Sequence, residues 1–356
     1  MTFLADLQEL VECQSPSDDL PACLATVNLA VEICSRNLPE PAESRTYGER
    51  PVFWWGCEEP EIILLCHLDT VWPTDSYLPL WRQEGDAIFG PGIFDMKAGF
   101  LQAMYALKEI PGAFKKVALI GTTDEETGSR ASRELITRLA KSAKATLVFE
   151  SSIEDTVKIG RKGTSMYRIL VQGRAAHAGL EPEKGINATT EIAHIALAMA
   201  ALENHELGTT VVPTMMQSGS TTNTVPALAT LDIDARSFLA SELERIDAAI
   251  RSLQPKHPEA VITITGGINR PPLEHVATAE LYELIEVVAK KLNMPPVGHI
   301  SVGGASDGNL AAAAGSRVLD GLGASGSGAH ASHEHIYASR IEGRISLITG
   351  LIKELI

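Results

Sequence analysis

Apolar residues recur at helical spacing over residues 3–13 and again over 22–34, so the first stretch of the chain is predicted to form two amphipathic helices. The pattern then changes. The run "EIILLCHLDTV" (61–71) is apolar without alternation, as a strand covered on both faces has to be. Two more runs of that kind, "KKVALIGTT" (115–123) and "KATLVFES" (144–151), are set apart by helical patterns at 98–109 and 130–141. Strands alternating with helices predict an α/β fold: a mixed, largely parallel sheet with helices on both faces.

After about residue 160 the pattern differs. "TSMYRILVQG" (164–173) partly alternates, which marks a strand with one wet face. A helical run (188–203), two strand-like runs (209–219 and 226–236), a second helical run (241–253) and "AVITITG" (260–266) follow. The order β-α-β-β-α-β is the split βαβ arrangement of a small α+β sandwich. It predicts an inserted domain over 161–269. The tail returns to helix (277–292), Gly-rich loops and strand (301–328) and a final helix (339–355), so 1–160 and 270–356 are expected to form one discontinuous main domain.

Composition narrows the class. A chain of 356 residues suits two domains, and 45% hydrophobic with 21% charged residues is an ordinary globular balance. A net charge of -15 argues against nucleic acid or an anionic membrane surface as partner. The cysteines, Cys13, Cys23, Cys34, Cys57 and Cys66, are odd in number and form no CxxC pair, which suggests a reduced compartment rather than a disulfide framework. "MTFLADLQELVECQSPSDD" is too acidic for a secretory leader, and no apolar run is long enough for a membrane span. The expectation is a soluble, cytoplasmic protein.

The candidate chemistry lies where the buried strands end. The first ends at His67-Leu68-Asp69, the second at Asp124-Glu125-Glu126 and the third at Glu150, while "FGPGIFDMKAG" (89–99) puts Asp95 in a Gly-rich loop before a helix. In open α/β sheets ligands bind outside the carboxyl ends of strands. Several carboxylates converging there do not all stay ionised at close range without a cation. A pair of divalent metals resolves the conflict. Each residue alone is weak evidence, since Asp95 by itself would most often be a helix cap. The set carries the reading.

"HLDTV", "GPGIFDMKAG", "DEETGS", "FES", "GRAAHAG" and "GAHASHE", in that order, resemble the co-catalytic zinc family of aminoacylases and carboxypeptidases over nearly the whole chain. That family includes glutamate carboxypeptidases, acetylornithine deacetylases and succinyl-diaminopimelate desuccinylases. The resemblance implies two Zn2+ per subunit, with Co2+ or Mn2+ as possible replacements. His67, Asp95 and Glu150 would hold one ion, and Asp95, Glu126 and His330 the other. Asp95 would bridge them, Asp69 would orient His67, and Glu125 would be the general base. "AHASHEH" (329–335) also offers His333, but His330 places Glu334 four residues on, as in several family members. His177 would donate to the oxyanion in the partner subunit, which implies a homodimer through the inserted lid domain. Asn223, Arg270 and the loop 303–309, with Gly304 and Ser306, would contact substrate. Glu rather than Asp at position 150 implies a carboxypeptidase or N-deacylase rather than an aminopeptidase. The expected substrate is a small peptide or N-acyl amino acid cleaved at the amide bond to an amino acid with a free carboxylate.

Three rival readings are open to test. "GPGIFD" imitates a dinucleotide loop but has Asp95 where the third glycine belongs. "GASDG" (304–308) matches G-x-S-x-G, with Asp320 and His330 following in serine-hydrolase order. A non-catalytic binding protein on the same fold would lack a base or a ligand, and none is missing.

Overall fold

The structure, a computed structural model, describes residues 2–356. Along the chain, α1 (Phe3–Glu12) and α2 (Leu20–Asn37) precede a hairpin of β1 (Glu43–Tyr47) and β2 (Arg50–Gly56). Next come β3 (Ile62–His67), α3 (Ala98–Lys108), β4 (Val117–Thr122), α4 (Arg133–Ser142) and β5 (Ala145–Val148). Then follow β6 (Gly163–Gln172), α5 (Ala188–Ala200), β7 (Thr210–Ser218), β8 (Leu228–Ser237), α6 (Ala240–Arg251) and β9 (Val261–Arg270). The chain continues with α7 (Ala279–Lys291), α8 (Asp307–Ala313), β10 (Arg317–Leu319) and α9 (Ile341–Leu355). It divides into two compact units. One comprises the chain up to Gly160 with Leu273–Val302 and Ser306–Ile356, and the other Arg161–Pro272 with Gly303–Ala305.

The first unit is a six-stranded sheet in the order β1-β2-β4-β3-β5-β10. The four strands from β4 to β10 run parallel, and the β1–β2 hairpin joins β4 antiparallel. Both faces are covered, which explains the unbroken apolar runs. On β3, Ile62, Leu64 and Cys66 face a core shared with α1, α2, α3, α7 and α9, while Ile63 and Leu65 face a second core shared with α4 and α8. Five short segments form a second sheet, Arg82–Glu84, Ala87–Phe89, His335–Tyr337, Ser325–Ser327 and Ser152–Ile153. The sequence does not foreshadow it, nor the β1–β2 hairpin. It also reads 301–328 as loop and strand, whereas Asp307–Ala313 is helical, begun by a capping box of Ser306 and Asn309.

The second unit is a four-stranded antiparallel sheet in the order β7-β8-β6-β9. One face is buried: Tyr167, Ile169 and Val171 of β6 and Leu231, Ile233 and Ala235 of β8 pack on Ile192, Ile195 and Met199 of α5 and Ile246 and Ile250 of α6. The other face carries polar residues such as Arg168 and Asp232, bonded to each other at 2.6 Å. Among the described residues no helix is long and apolar enough to cross a membrane.

Candidate metal centre

Strand register brings the first three elements of the centre together. β4, β3 and β5 are parallel neighbours, His67 lies level with Thr122, and Leu65 lies level with Val148. Two residues beyond Leu65 and Val148 stand His67 and Glu150, and the turn after Thr122 carries Asp124–Glu126. The ligand-type side chains therefore leave the same edge of the sheet, as expected for an open α/β sheet. Asp95 arrives from a loop pressed against the segment after His67. A Cβ on Gly92 (φ +66) would fall 2.3 Å from Thr70 Cγ2, so only glycine lets the loop pass there. A Cβ on Gly99, at the start of α3, would fall 2.2 Å from the Phe149 carbonyl oxygen.

The two oxygens of Asp95 face different imidazoles. Oδ1 lies 3.2 Å from His67 Nε2, and Oδ2 lies 3.4 Å from His330 Nε2. Glu150 Oε1 is 3.7 Å from His67 Nε2, and Glu126 Oε1 is 3.1 Å from His330 Nε2. Atoms bound at ~2.0–2.1 Å to one tetrahedral zinc are roughly 3.3–3.4 Å apart, so nitrogen and oxygen donors here already have ligand-like spacing. The set suits divalent ions of the zinc, cobalt or manganese type. Glu125 also has an oxygen within 4.8 Å of ligand atoms of His67 and Glu150. What separates the two neighbouring acids is that Glu126 is the one in hydrogen-bond reach of His330.

Protonation follows the crowding. Burial works to depress His67, but its hydrogen bonds with Asp69 and Asp95 outweigh it and hold the imidazole well above its ordinary value. Bonds to Asp95 and Glu126 push His330 up to about 10. Burial opposes ionisation of Asp95, yet the two imidazoles bring its carboxyl far below the usual range. Burial, with the charge on Asp95 adding to it, raises Glu126.

Neighbouring groups fix these side chains, several in ways the sequence did not announce. His67 Nδ1 lies 3.0 Å from the Asp69 backbone oxygen and 3.5 Å from its carboxylate. The Asp69 carboxylate also accepts from Glu125 N, Glu126 N and Ser17 Oγ, so it shapes the acidic turn as well. Buried Lys97 donates to the Leu10 and Cys13 carbonyls, and burial pushes it down to about 8. Lys158 Nζ, also buried, lies 3.9 Å from Glu150 Oε2. Glu334 is fully buried and accepts from Trp72, Gly92, Phe94 and Asp95. Burial raises its carboxyl to about 7 although those donors favour the charged form. The spacing of Glu334 from His330 was the one hint to its place.

In the second unit His177 pairs with Thr224, beside Asn223, whose backbone oxygen accepts from Ala178 N. His177 is exposed, and its Nδ1 accepts from Gly179 N and Leu180 N. In the neutral ring the proton then sits on Nε2, which is left as a donor. Arg270 is buried at the end of β9, and Gly304 is exposed with its carbonyl held by Arg161. Ser306 is fully buried as the cap of α8, and its Oγ donates to Asp320 Oδ2 at 2.7 Å. No imidazole stands between that serine and that acid, which removes the geometry a serine hydrolase needs. His333 is exposed, its backbone oxygen 2.8 Å from His335 Nδ1.

The chain is similar to several known proteins. Carboxypeptidase G2 from Pseudomonas sp. (strain RS-16) is 30% identical over 308 residues, covering 83% of this chain and 74% of that one. Succinyl-diaminopimelate desuccinylase from Delftia acidovorans is 26% identical over 328 residues, covering 84% and 83%. The fold matches the crystal structure of aminopeptidase PepT from Bacillus cereus with a TM-score of 0.79 at 21% identity, covering 99% of this chain and 98% of that one. The sequence pattern of peptidase family M20/M25/M40 spans residues 63–354, from within β3 to the last turn of α9. The chain therefore belongs to peptidase family M20/M25/M40, a metal-dependent family of hydrolases.

Proposed function

We propose that the protein is a two-zinc amidohydrolase that cleaves the amide bond to a C-terminal amino acid bearing a free carboxylate. The observation that carries this reading is Asp95, whose two oxygens each address a different histidine. His67, Asp95 and Glu150 would hold one ion and Asp95, Glu126 and His330 the other, and the pair would polarise the scissile carbonyl and acidify water. Glu125 takes the proton of the attacking water and returns it to the leaving amine. Its backbone N–H, held by Asp69 at 3.3 Å, fixes where that carboxylate starts. His177 serves the oxyanion through its Nε2–H. Arg270 serves the substrate carboxylate, for which a guanidinium offers two parallel hydrogen bonds.

A homodimer belongs to the proposal. β7 is the outer strand of its sheet and exposes Val212, Met215 and Met216, while Leu197 of α5 is 73% exposed. An apolar open edge of this kind is a hazard unless another chain covers it.

The likeness to carboxypeptidase G2 favours a peptide-like substrate cleaved at its carboxyl end. The likeness to succinyl-diaminopimelate desuccinylase supports a second reading, an N-acyl amino acid deacylase. Both leave an amino acid with a free carboxylate. The test uses three matched substrates: free, N-capped and C-amidated. Amidation of the carboxylate should cost on the order of 2–5 kcal/mol in kcat/KM, the range for removing one side of a buried charge pair. N-capping should cost far less. Good cleavage of the C-amidated substrate with none of the N-capped one would make the enzyme an aminopeptidase and end this reading. Varying the acyl group then separates peptidase from deacylase.

A further inference from the structure

We infer that Glu334 is the positioning residue of the metal centre, a buried carboxylate that holds the ligand-bearing segments in one register. Three segments meet on it. The first follows His67: Trp72 Nε1 donates to Oε2 at 2.9 Å. The second is the loop into Asp95, where Gly92 N donates to Oε2 at 3.1 Å and Phe94 N and Asp95 N donate to Oε1 at 3.0 and 3.1 Å. The third is Glu334's own segment, tied back toward His330 by its N–H to the Ala331 carbonyl at 2.8 Å. Tyr77 closes the assembly. Its hydroxyl donates to the Glu334 carbonyl at 3.1 Å, and its ring packs edge-on against Trp72.

The chemistry of the acceptor matters. An ionised carboxylate has room for about four hydrogen bonds and no proton of its own to place. Each oxygen here takes two donors. The isosteric amide has one acceptor oxygen, and its NH2 would face two N–H groups on the other side. Those donors would be buried without a partner.

The consequence for the centre runs through Asp95. Its oxygens have to face His67 and His330 at the same time, so a small rotation of its backbone spoils both contacts. Three of the four N–H groups on Glu334 belong to the loop that sets that rotation. The same loop has no freedom on its other side, because Gly92 rests against Thr70. Glu334 is fully buried and touches no reacting atom. It acts through Asp95 and His330.

The inference rests on the reading of Asp95 and His330 as metal ligands. Its test is metal binding, measured by titrating the chelator-stripped dimer with Zn2+ against a chromophoric chelator, with thermal unfolding recorded at each point. Wild type should bind two ions. Glu334→Gln should stay folded yet bind both ions about 10–100-fold more weakly, the usual effect of losing a group that orients ligands. The rise in Tm on metal addition should shrink, and excess Zn2+ should restore part of the turnover. Trp72→Phe, which removes one donor of four, should weaken binding by less. Wild-type affinity for both ions in Glu334→Gln would overturn the inference, because a residue needed only for the fold would lower Tm without changing the ratio of bound to free metal. If Glu334→Gln does not fold, Trp72→Phe decides: weaker binding supports the inference and unchanged binding overturns it. Failure of the underlying ligand reading would look different, with Asp95→Asn binding Zn2+ as wild type does.

Discussion

Strands β3 and β6 are both interior strands of their sheets, and they are built on opposite rules. All six positions of β3 are buried, and consecutive side chains enter different cores. In β6 the buried positions Tyr167, Ile169 and Val171 alternate with the exposed Met166 and Arg168. The chemistry divides the same way. The groups that need fixed spacing leave the edge of the doubly covered sheet, while His177 stands exposed on the singly covered unit. Metal ligands tolerate little displacement and belong on rigid elements. A side chain proposed to serve another subunit has to be reachable from outside, as exposed His177 is.

The largest effects are expected from substitutions at the proposed catalytic residue of each unit. Glu125→Gln should keep both metals and lose turnover by ~10²–10⁴-fold, the range for a general base. Metal analysis beside kinetics tests it, and loss of one equivalent would mean that Glu125 and Glu126 have exchanged roles. On the second unit, His177→Ala should fold and bind metal but lose ~10²–10³ in rate, as for one oxyanion donor. Mixed with His67→Ala, it should regain part of the activity, because hybrid dimers then hold one site with both parts intact. A mixture that stays inactive after proven subunit exchange would refute the role in trans.

Stability offers a more direct way to break the contrast. Leu64→Ala and Leu65→Ala in β3 should each cost about 2–5 kcal/mol, since both leave cavities. In β6, Ile169→Ala should cost as much, but its neighbour Arg168→Ala far less, because it loses only an exposed ion pair. Chemical denaturation of the four variants decides. Equal effects of the two β6 substitutions would mean that its outer face is covered.

The smallest effect per step concerns protons. His330 is raised to about 10 and His67 well above its ordinary value, so at neutral pH both imidazoles carry a proton that an incoming ion must displace. Apparent affinity for the ion on His330 should rise about tenfold per pH unit from ~7 to ~9 and level off above its pKa. Zinc added to weakly buffered protein should acidify the solution. No proton release would show that the histidines are neutral before metal arrives.

Much of this was legible in the sequence, and the gaps have physical causes. The doubly covered strands announced themselves as apolar runs, and the strand ends then located His67, Glu150 and the acidic turn. β1 was not legible, because Glu43–Tyr47 has no apolar period and only pairing with β2 makes it a strand. α8 was hidden by glycine and alanine, which carry little pattern, although Ser306 followed by Asn309 is a cap signal. The segments of the five-stranded sheet are too short for any period. The bonds of Glu334 to residues more than two hundred positions away leave no trace in local sequence.

The first unit is interrupted in sequence by the second, and this sets an order of events during synthesis. His67, Asp95, Glu126 and Glu150 are made before the second unit, while His330 and Glu334 are made after it. At ~5–20 residues per second, roughly 10–40 s of translation separate Glu150 from His330. Through that interval the acidic turn is present without one of its two imidazoles, and Asp95 without the carboxylate that holds its loop. If His330 is a ligand as proposed, metal loading is expected as a late step, coupled to docking of the segment that follows the second unit. A chain stalled before residue 330 would carry Asp95, Glu126 and Glu150 and still lack both His330 and Glu334.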